Sequence, residues 1–213
     1  PEALEQTMNY VVARQDIVRV QFAERDGQGW QRITPHVDRA LQVEDVSNEA
    51  DPEAEAYRLG RENNAKPFDL ETESLLRYRL VRLSEQRHAL LISLHHIVGD
   101  AWSLGVFMQE FLFAYSALRD GLTPNLPPLQ NSYLDLVETE AEWLASDDAQ
   151  AQRDHWIDTL QHEGEPLALP RLTQPSGASS RACFQDFSLS AKQTQTLKDF
   201  ARAQGVSRFT VLL

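Results

Sequence analysis

The stretch HALLISLHH, residues 88–96, constrains the fold of this chain more than any other. It is nearly continuous in apolar side chains, yet far too short to cross a membrane as a helix. A run of this length and character reads as a buried central strand, covered on both faces. LLRYRLVRL (75–83) precedes it, and SEQR between them supplies the turn, so the two form adjacent strands. Downstream, Leu104, Phe107, Phe111, Leu112, Tyr115 and Leu118 fall on one broad face of a helix over 103–118. Ser103 has the residue type of an N-cap for that helix. IVGDAW (97–102) is then a short loop at the tip of a sheet, directly behind two adjacent histidines.

The same periodicities organise the rest. Leu4, Met8, Val11 and Val12 predict an amphipathic helix over 2–13, and the alternation in DIVRVQF (16–22) predicts a half-buried strand. RDGQG (25–29) is a turn and WQRI (30–33) a partner strand. Residues 52–65 carry a polar helical pattern, and 120–128 are a loop. Two more helices are predicted over 132–145 and 147–162, with Trp143 and Trp156 as anchors. PRLTQPSGASS (170–180) is the clearest change in composition. A strand over 182–190 follows it, then a helix capped by Ser190 and ended near Gly205. The expected division is a first lobe at 1–175 and the start of a second at 176–213. The non-methionine start and the apolar last residues read as a piece of a longer polypeptide.

Composition narrows the partners. A hydrophobic share of 42% over 213 residues supports a real core. The net charge of −12 argues against nucleic acid, since a phosphate backbone would be repelled. Cys183 is the only cysteine, which rules out an internal disulfide and a thiolate zinc cluster. With no membrane-length apolar run and no signal-peptide pattern, a cytoplasmic protein is expected, with no membrane partner.

His95 and His96 admit three readings. As neighbours on a strand they point to opposite faces and cannot share one ion, and His96 with Asp100 alone is too few ligands for zinc, so no metal is expected. Two satisfied core histidines remain a plain possibility. A catalytic reading follows from position: a histidine facing a cleft at a sheet tip can accept a proton near neutral pH. Its neighbour, facing inward, can fix the loop. A buried Asp100 would demand a cationic or donor partner. No G-x-S-x-G elbow exists in the chain, so a protein nucleophile is unsupported and transfer between two bound substrates is favoured. His155 and His162 lie in a polar helix and are not expected to be ligands.

HHIVGDAWS (95–103) resembles the HHxxxDGxS motif of condensation domains of nonribosomal peptide synthetases. RQDIVRVQF (14–22), KPFDLETESLLRYRL (66–80), YLDLVETEAEWL (133–144) and FSLSAKQTQTLKDFARAQGVSRFTVLL (187–213) resemble further segments of that family, in order. The chain departs from the pattern at Gln15, Asp16, Val20 and Ala101, and at Val137–Glu140. The resemblance implies an α+β or α/β sandwich: a lobe like that of chloramphenicol acetyltransferase, with a mixed sheet flanked by helices, covering about half of a whole domain. It implies peptide-bond formation in antibiotic and other secondary-metabolite synthesis. The amine of a downstream aminoacyl group attacks an upstream acyl or peptidyl thioester, both carried on phosphopantetheine arms of carrier protein domains beside an adenylation domain. No cofactor is expected to bind the chain itself, and this stretch alone is expected to be inactive.

By the same resemblance His96 is the base or the positioner of the attacking amine, and His95 and Asp100 complete the catalytic loop. Gly99, Trp102 and Ser103 are assigned to the substrate side, and Arg14 is the structural partner of the motif aspartate. An epimerization domain, an acyl-CoA-dependent acyltransferase of the same superfamily and a non-catalytic docking module remain the alternatives. Leu104 after the serine, where epimerization domains carry tryptophan, speaks against the first of these.

Overall fold

The computed structural model describes residues 1–161 and 187–213. The 170–180 linker, His162, Cys183, the 175/176 division and most of the strand expected over 182–190 lie outside the described residues. The chain forms two compact units, Pro1–Asp158 and Thr159–Leu213.

The first unit opens with α1 (Glu2–Arg14) and a 3₁₀ turn (Asp16–Arg19), followed by a hairpin of β1 (Val20–Arg25) and β2 (Gln28–Ile33). Asp26 and Gly27 at the hairpin tip both have positive φ, 53° and 74°, the two-residue turn whose twist suits antiparallel strands. The strand expected from residue 16 thus begins at Val20. The physical reason is Arg19, whose guanidinium donates to the carbonyls of Val12, Ala13 and Thr34 and to Asp16, tying a tight turn against the end of α1.

Next come β3 (Val43–Asp45), α2 (Pro52–Ala65), β4 (Leu76–Arg82) and β5 (His88–Leu94). The sheet order is β3-β4-β5, with β3 parallel and β5 antiparallel to β4, so the sheet is mixed. β4 is therefore the central strand. β5, expected in that place, pairs only with β4 among the described residues. Its apolar run has another cause, because helices cover both of its faces. Leu76, Tyr78, Leu90, Ile92 and Leu94 face Met8 and Val11 of α1 and Phe107 and Phe111 of α3 (Ala101–Arg119). Val81, Ala89 and Leu91 face Ala56 and Leu59 of α2.

Asp51 caps α2 by accepting from the Ala54 N–H at 3.0 Å, and Pro52 occupies the first turn, where a missing N–H costs nothing. Beyond α3 lie α4 (Tyr133–Leu144), opened by a reciprocal Ser132–Asp135 capping box, and α5 (Asp147–Leu160). Trp143 and Trp156 are 44% and 58% exposed, so neither is the buried anchor expected of it. No described helix is long and apolar enough to cross a membrane.

In the second unit, α6 (Ala191–Gln204) starts at a Ser190–Gln193 capping box and stops at Gly205, whose φ of 65° makes it a left-handed cap. Val206 N–H reaches back to the Ala201 carbonyl at 3.0 Å, and α7 (Arg208–Leu212) is capped by Ser207. Residues 187–190 are not in a strand.

Candidate active site

The loop between β5 and α3 carries the two histidines. β5 ends at Leu94, but the His95 N–H still bonds the Leu75 carbonyl at 2.9 Å, which extends the ladder by one bond. The chain then turns, with the Val98 N–H donating to the His95 carbonyl at 3.1 Å. His95 Nδ1 accepts the Ile97 N–H at 3.1 Å, so in the neutral ring the proton resides on Nε2. The His95 ring is half-buried and meets Phe68 edge-on, with centroids 5.7 Å apart and planes at 84°. His96 is exposed. The doublet does send its rings to different surroundings, although a turn rather than strand alternation separates them.

His96 lines a cavity of about 810 Å³. Gln15, Asp16 and Ile17 form one wall, Val98, Gly99, Asp100 and Ser103 form the floor around the start of α3, and Tyr133, Asp135 and Leu136 of α4 face them. The expected groove at His96 is present within the first unit. Trp102 does not border it. With 83% of its surface exposed, Trp102 lies on a smaller apolar hollow of about 250 Å³ beside Leu94, Val98 and Leu104.

Asp100 is exposed, which overturns its expected burial with a cation. It is the N-cap of α3, accepting the Ser103 N–H at 2.8 Å and the Ser103 hydroxyl at 2.9 Å. These two bonds, the backbone one foremost, hold its carboxyl below the ordinary aspartate range. Ser103 is the residue capped and not the cap, because a carboxylate at the head of the helix is the stronger acceptor for orphan N–H groups. Ser103 Oγ donates to Asp100, and no hydrogen bond joins it to His96 among the described residues. That arrangement lacks a nucleophile–base pair. What it offers is an accessible imidazole on the wall of an open cavity, able to hold or deprotonate an amine.

The sequence profile of the condensation domain family matches residues 1–213. The chain belongs to this family. It is 34% identical over 215 residues to a linear gramicidin synthase polypeptide of Brevibacillus parabrevis, a match covering 100% of this chain and 3% of that protein. It is 31% identical over 215 residues to malpibaldin synthetase of Mortierella alpina, covering 100% and 4%. Among solved structures it resembles the first condensation domain of the calcium-dependent antibiotic synthetase, with a TM-score of 0.78 and 25% identity over 97% of this chain and 49% of that one. The starter condensation domain of rhizomide synthetase gives 0.71 and 27% over 78% and 40%. The mixed sheet flanked by helices is the chloramphenicol acetyltransferase-like fold of condensation domains. The chain spans about half the length of the solved condensation domains it matches and a small fraction of the synthetases.

Within that family pattern, Arg14 holds a partner other than the one expected. Its Nε donates to Glu110 Oε1 at 2.9 Å and its Nη2 to the Pro127 carbonyl at 2.6 Å, while Gln15 Nε2 donates to Glu110 Oε2 at 2.7 Å. The side chains of Arg14 and Glu110 are only 16% and 13% exposed. Glu110 thereby ties the end of α1, which presents Gln15 to the cavity, onto the middle of α3. Sequence reading missed Glu110 because its partners lie 95 and 96 residues away, with no local spacing to announce them. Tyr133 was also missed as a lining residue, and its hydroxyl donates to Gln31 Oε1 at 3.0 Å. Gly99 is crowded by the protein itself, since a Cβ there would stand 2.6 Å from Leu94 Cδ2 and 3.2 Å from Ser103 Cβ.

Proposed function

We propose that this chain supplies the histidine-bearing side of a peptide-bond-forming condensation site. His96 holds and aligns the amine of a carrier-bound aminoacyl group as it attacks an upstream acyl or peptidyl thioester. The observation that carries this reading is the exposed His96 on the wall of the 810 Å³ cavity, in a chain matched throughout by the condensation family. Positioning suffices, because alignment of two bound reactants removes most of the entropic barrier to their reaction. His95 and Asp100 shape the loop, Gly99 and Ser103 form the cavity floor beneath the thioester, and Trp102 contacts substrate from the neighbouring apolar hollow. Arg14 acts structurally. Residues 1–175 form the N-terminal lobe and 176–213 begin the second. Both substrates arrive on phosphopantetheine arms of carrier domains flanking the site, with an adenylation domain adjacent, in the cytoplasm.

The test uses the complete synthetase module with an acyl-loaded upstream carrier and an aminoacyl-loaded downstream carrier, followed by intact-protein mass spectrometry. His96→Ala is expected to lower dipeptidyl-thioester formation by ~10²–10⁴ with the fold retained. Undiminished product from that variant would refute the reading. A second reading has one observation in its favour: a starter condensation domain similar to this chain, 27% identical with a TM-score of 0.73, has been solved with C8-CoA. Acyl transfer from free acyl-CoA with no upstream carrier present would select it.

A further inference from the structure

His96 has no side-chain hydrogen bond among the described residues, so its position is set by the backbone on either side of it. On one side Val98 is 3% exposed and anchored in the protein. On the other is His95, whose backbone bonds the Leu75 carbonyl and the Val98 N–H and whose ring is braced by two further planar groups in series. The Arg77 guanidinium carbon lies 3.8 Å from the centroid of the Phe68 ring, and Phe68 meets the His95 imidazole edge-on at 5.7 Å. The guanidinium cannot drift, because Nη1 donates to the Lys66 carbonyl at 2.9 Å and Nη2 to the Pro67 carbonyl at 2.7 Å and to Glu73 at 2.6 Å. A cation fixed over one ring face orients the ring, and the ring orients the imidazole it touches. The imidazole in turn accepts the Ile97 N–H, directly beyond His96.

From this geometry we infer that Phe68 and Arg77 are positioning residues for the reaction, acting through His95 to hold the loop that presents His96. The inference rests on the proposed role of His96. Neither Phe68 nor Arg77 borders the His96 cavity, so their effect is on alignment rather than on substrate affinity. Leucine at position 68 would keep an apolar side chain in the half-buried site and remove the ring. Tyrosine would keep the ring.

The experiment compares Phe68→Leu, Phe68→Tyr and His96→Ala in the complete synthetase module, with carrier-loaded substrates. Phe68→Leu is expected to lower kcat on the order of tenfold with KM for the downstream aminoacyl carrier unchanged, since small misplacements of reacting groups cost that much or more. Phe68→Tyr is expected to recover it to within about twofold. Hydrogen exchange at the Ile97 amide reports the loop without chemistry, and it should accelerate in Phe68→Leu and not in Phe68→Tyr. If His96→Ala abolishes product while Phe68→Leu turns over like the parent, the positioning inference fails and the reading of His96 stands. Full activity of His96→Ala overturns both. Should Phe68→Leu not fold, Arg77→Gln takes its place, and unchanged exchange at Ile97 in that variant overturns the inference.

Discussion

Two glycines six residues apart are expected to respond oppositely to alanine. At Gly99 an added Cβ would meet Leu94 Cδ2 at 2.6 Å and Ser103 Cβ at 3.2 Å; at Gly105, inside α3, nothing lies within 4 Å. Carbon atoms pack at ~3.5–4.0 Å, so the Leu94 methyl must retreat by about 1 Å. Ser103 cannot yield as easily, since its N–H and hydroxyl both hold Asp100. Leu94 borders the 250 Å³ hollow and can swing toward it, which keeps the strain in the lower half of the ~1–3 kcal/mol typical of overpacking. Alanine also returns ~0.4–1 kcal/mol by stiffening the unfolded chain. The net for Gly99→Ala is a loss of about 1 kcal/mol, or a fall in Tm of roughly 2–4 °C for a domain of this size. Gly105→Ala meets no strain and should gain ~0.5–1 kcal/mol, raising Tm by a few degrees. Thermal unfolding followed by circular dichroism measures both. In the condensation assay Gly99→Ala should also lose up to ~10² in rate as the loop shifts, whereas Gly105→Ala should match the parent. Equal upward shifts in Tm for the two variants would refute the crowding at Gly99.

The partner of Arg14 can be settled by two double-mutant cycles read by chemical denaturation. Arg14 and Glu110 should couple by ~1–2 kcal/mol, as expected of a charged hydrogen bond with little solvent exposure, whereas Arg14 and Asp100 should be additive. The pH dependence of Asp100 has a definite sign. Its carboxyl is held below the ordinary aspartate value, so its contribution is present above the unfolded value of ~3.9 and is lost as pH falls through the folded one. The difference in Tm between the parent and Asp100→Asn should therefore be constant near neutrality and shrink below about pH 4; a difference that grows on acidification would contradict the capping role.

The sequence was most legible where a helix announces itself through its neighbours three or four residues away. Asp51 with Pro52, Ser190 with Gln193 and Gly205 mark helix ends by contacts within a single turn, and α2 and α6 begin and end close to where the pattern puts them. Legibility failed where two local signals compete or where the deciding contact is distant. Asp100 and Ser103 are both good capping residues at compatible spacing, and the carboxylate, the stronger acceptor at a helix head, takes the cap. The alternation in residues 16–22 fits a strand equally well until Arg19 finds the Val12 and Ala13 carbonyls of α1. The apolar run of β5 reports two covered faces but not the number of strands beside it, since helices and strands bury a face alike.

The histidine doublet shows how a functional reading can rest on a partly wrong structural one. Strand alternation was the reason to expect one ring inward and one outward, yet the strand stops before either. What separates them is the turn closed by the His95 carbonyl and the Val98 N–H. That difference changes the chemistry expected of His95. On a strand its ring would be one more packed side chain; in the turn its Nδ1 is committed as acceptor to the Ile97 N–H, and its flank is committed to Phe68. A ring so engaged on one nitrogen and one side is suited to holding the loop, not to exchanging protons with a substrate. His96 has no such engagement and faces an open cavity, which is why the proposed function assigns the amine to it and not to His95. In the proposed function the first histidine fixes the backbone from which the second projects, a division of roles that follows from what the His95 ring has already bonded.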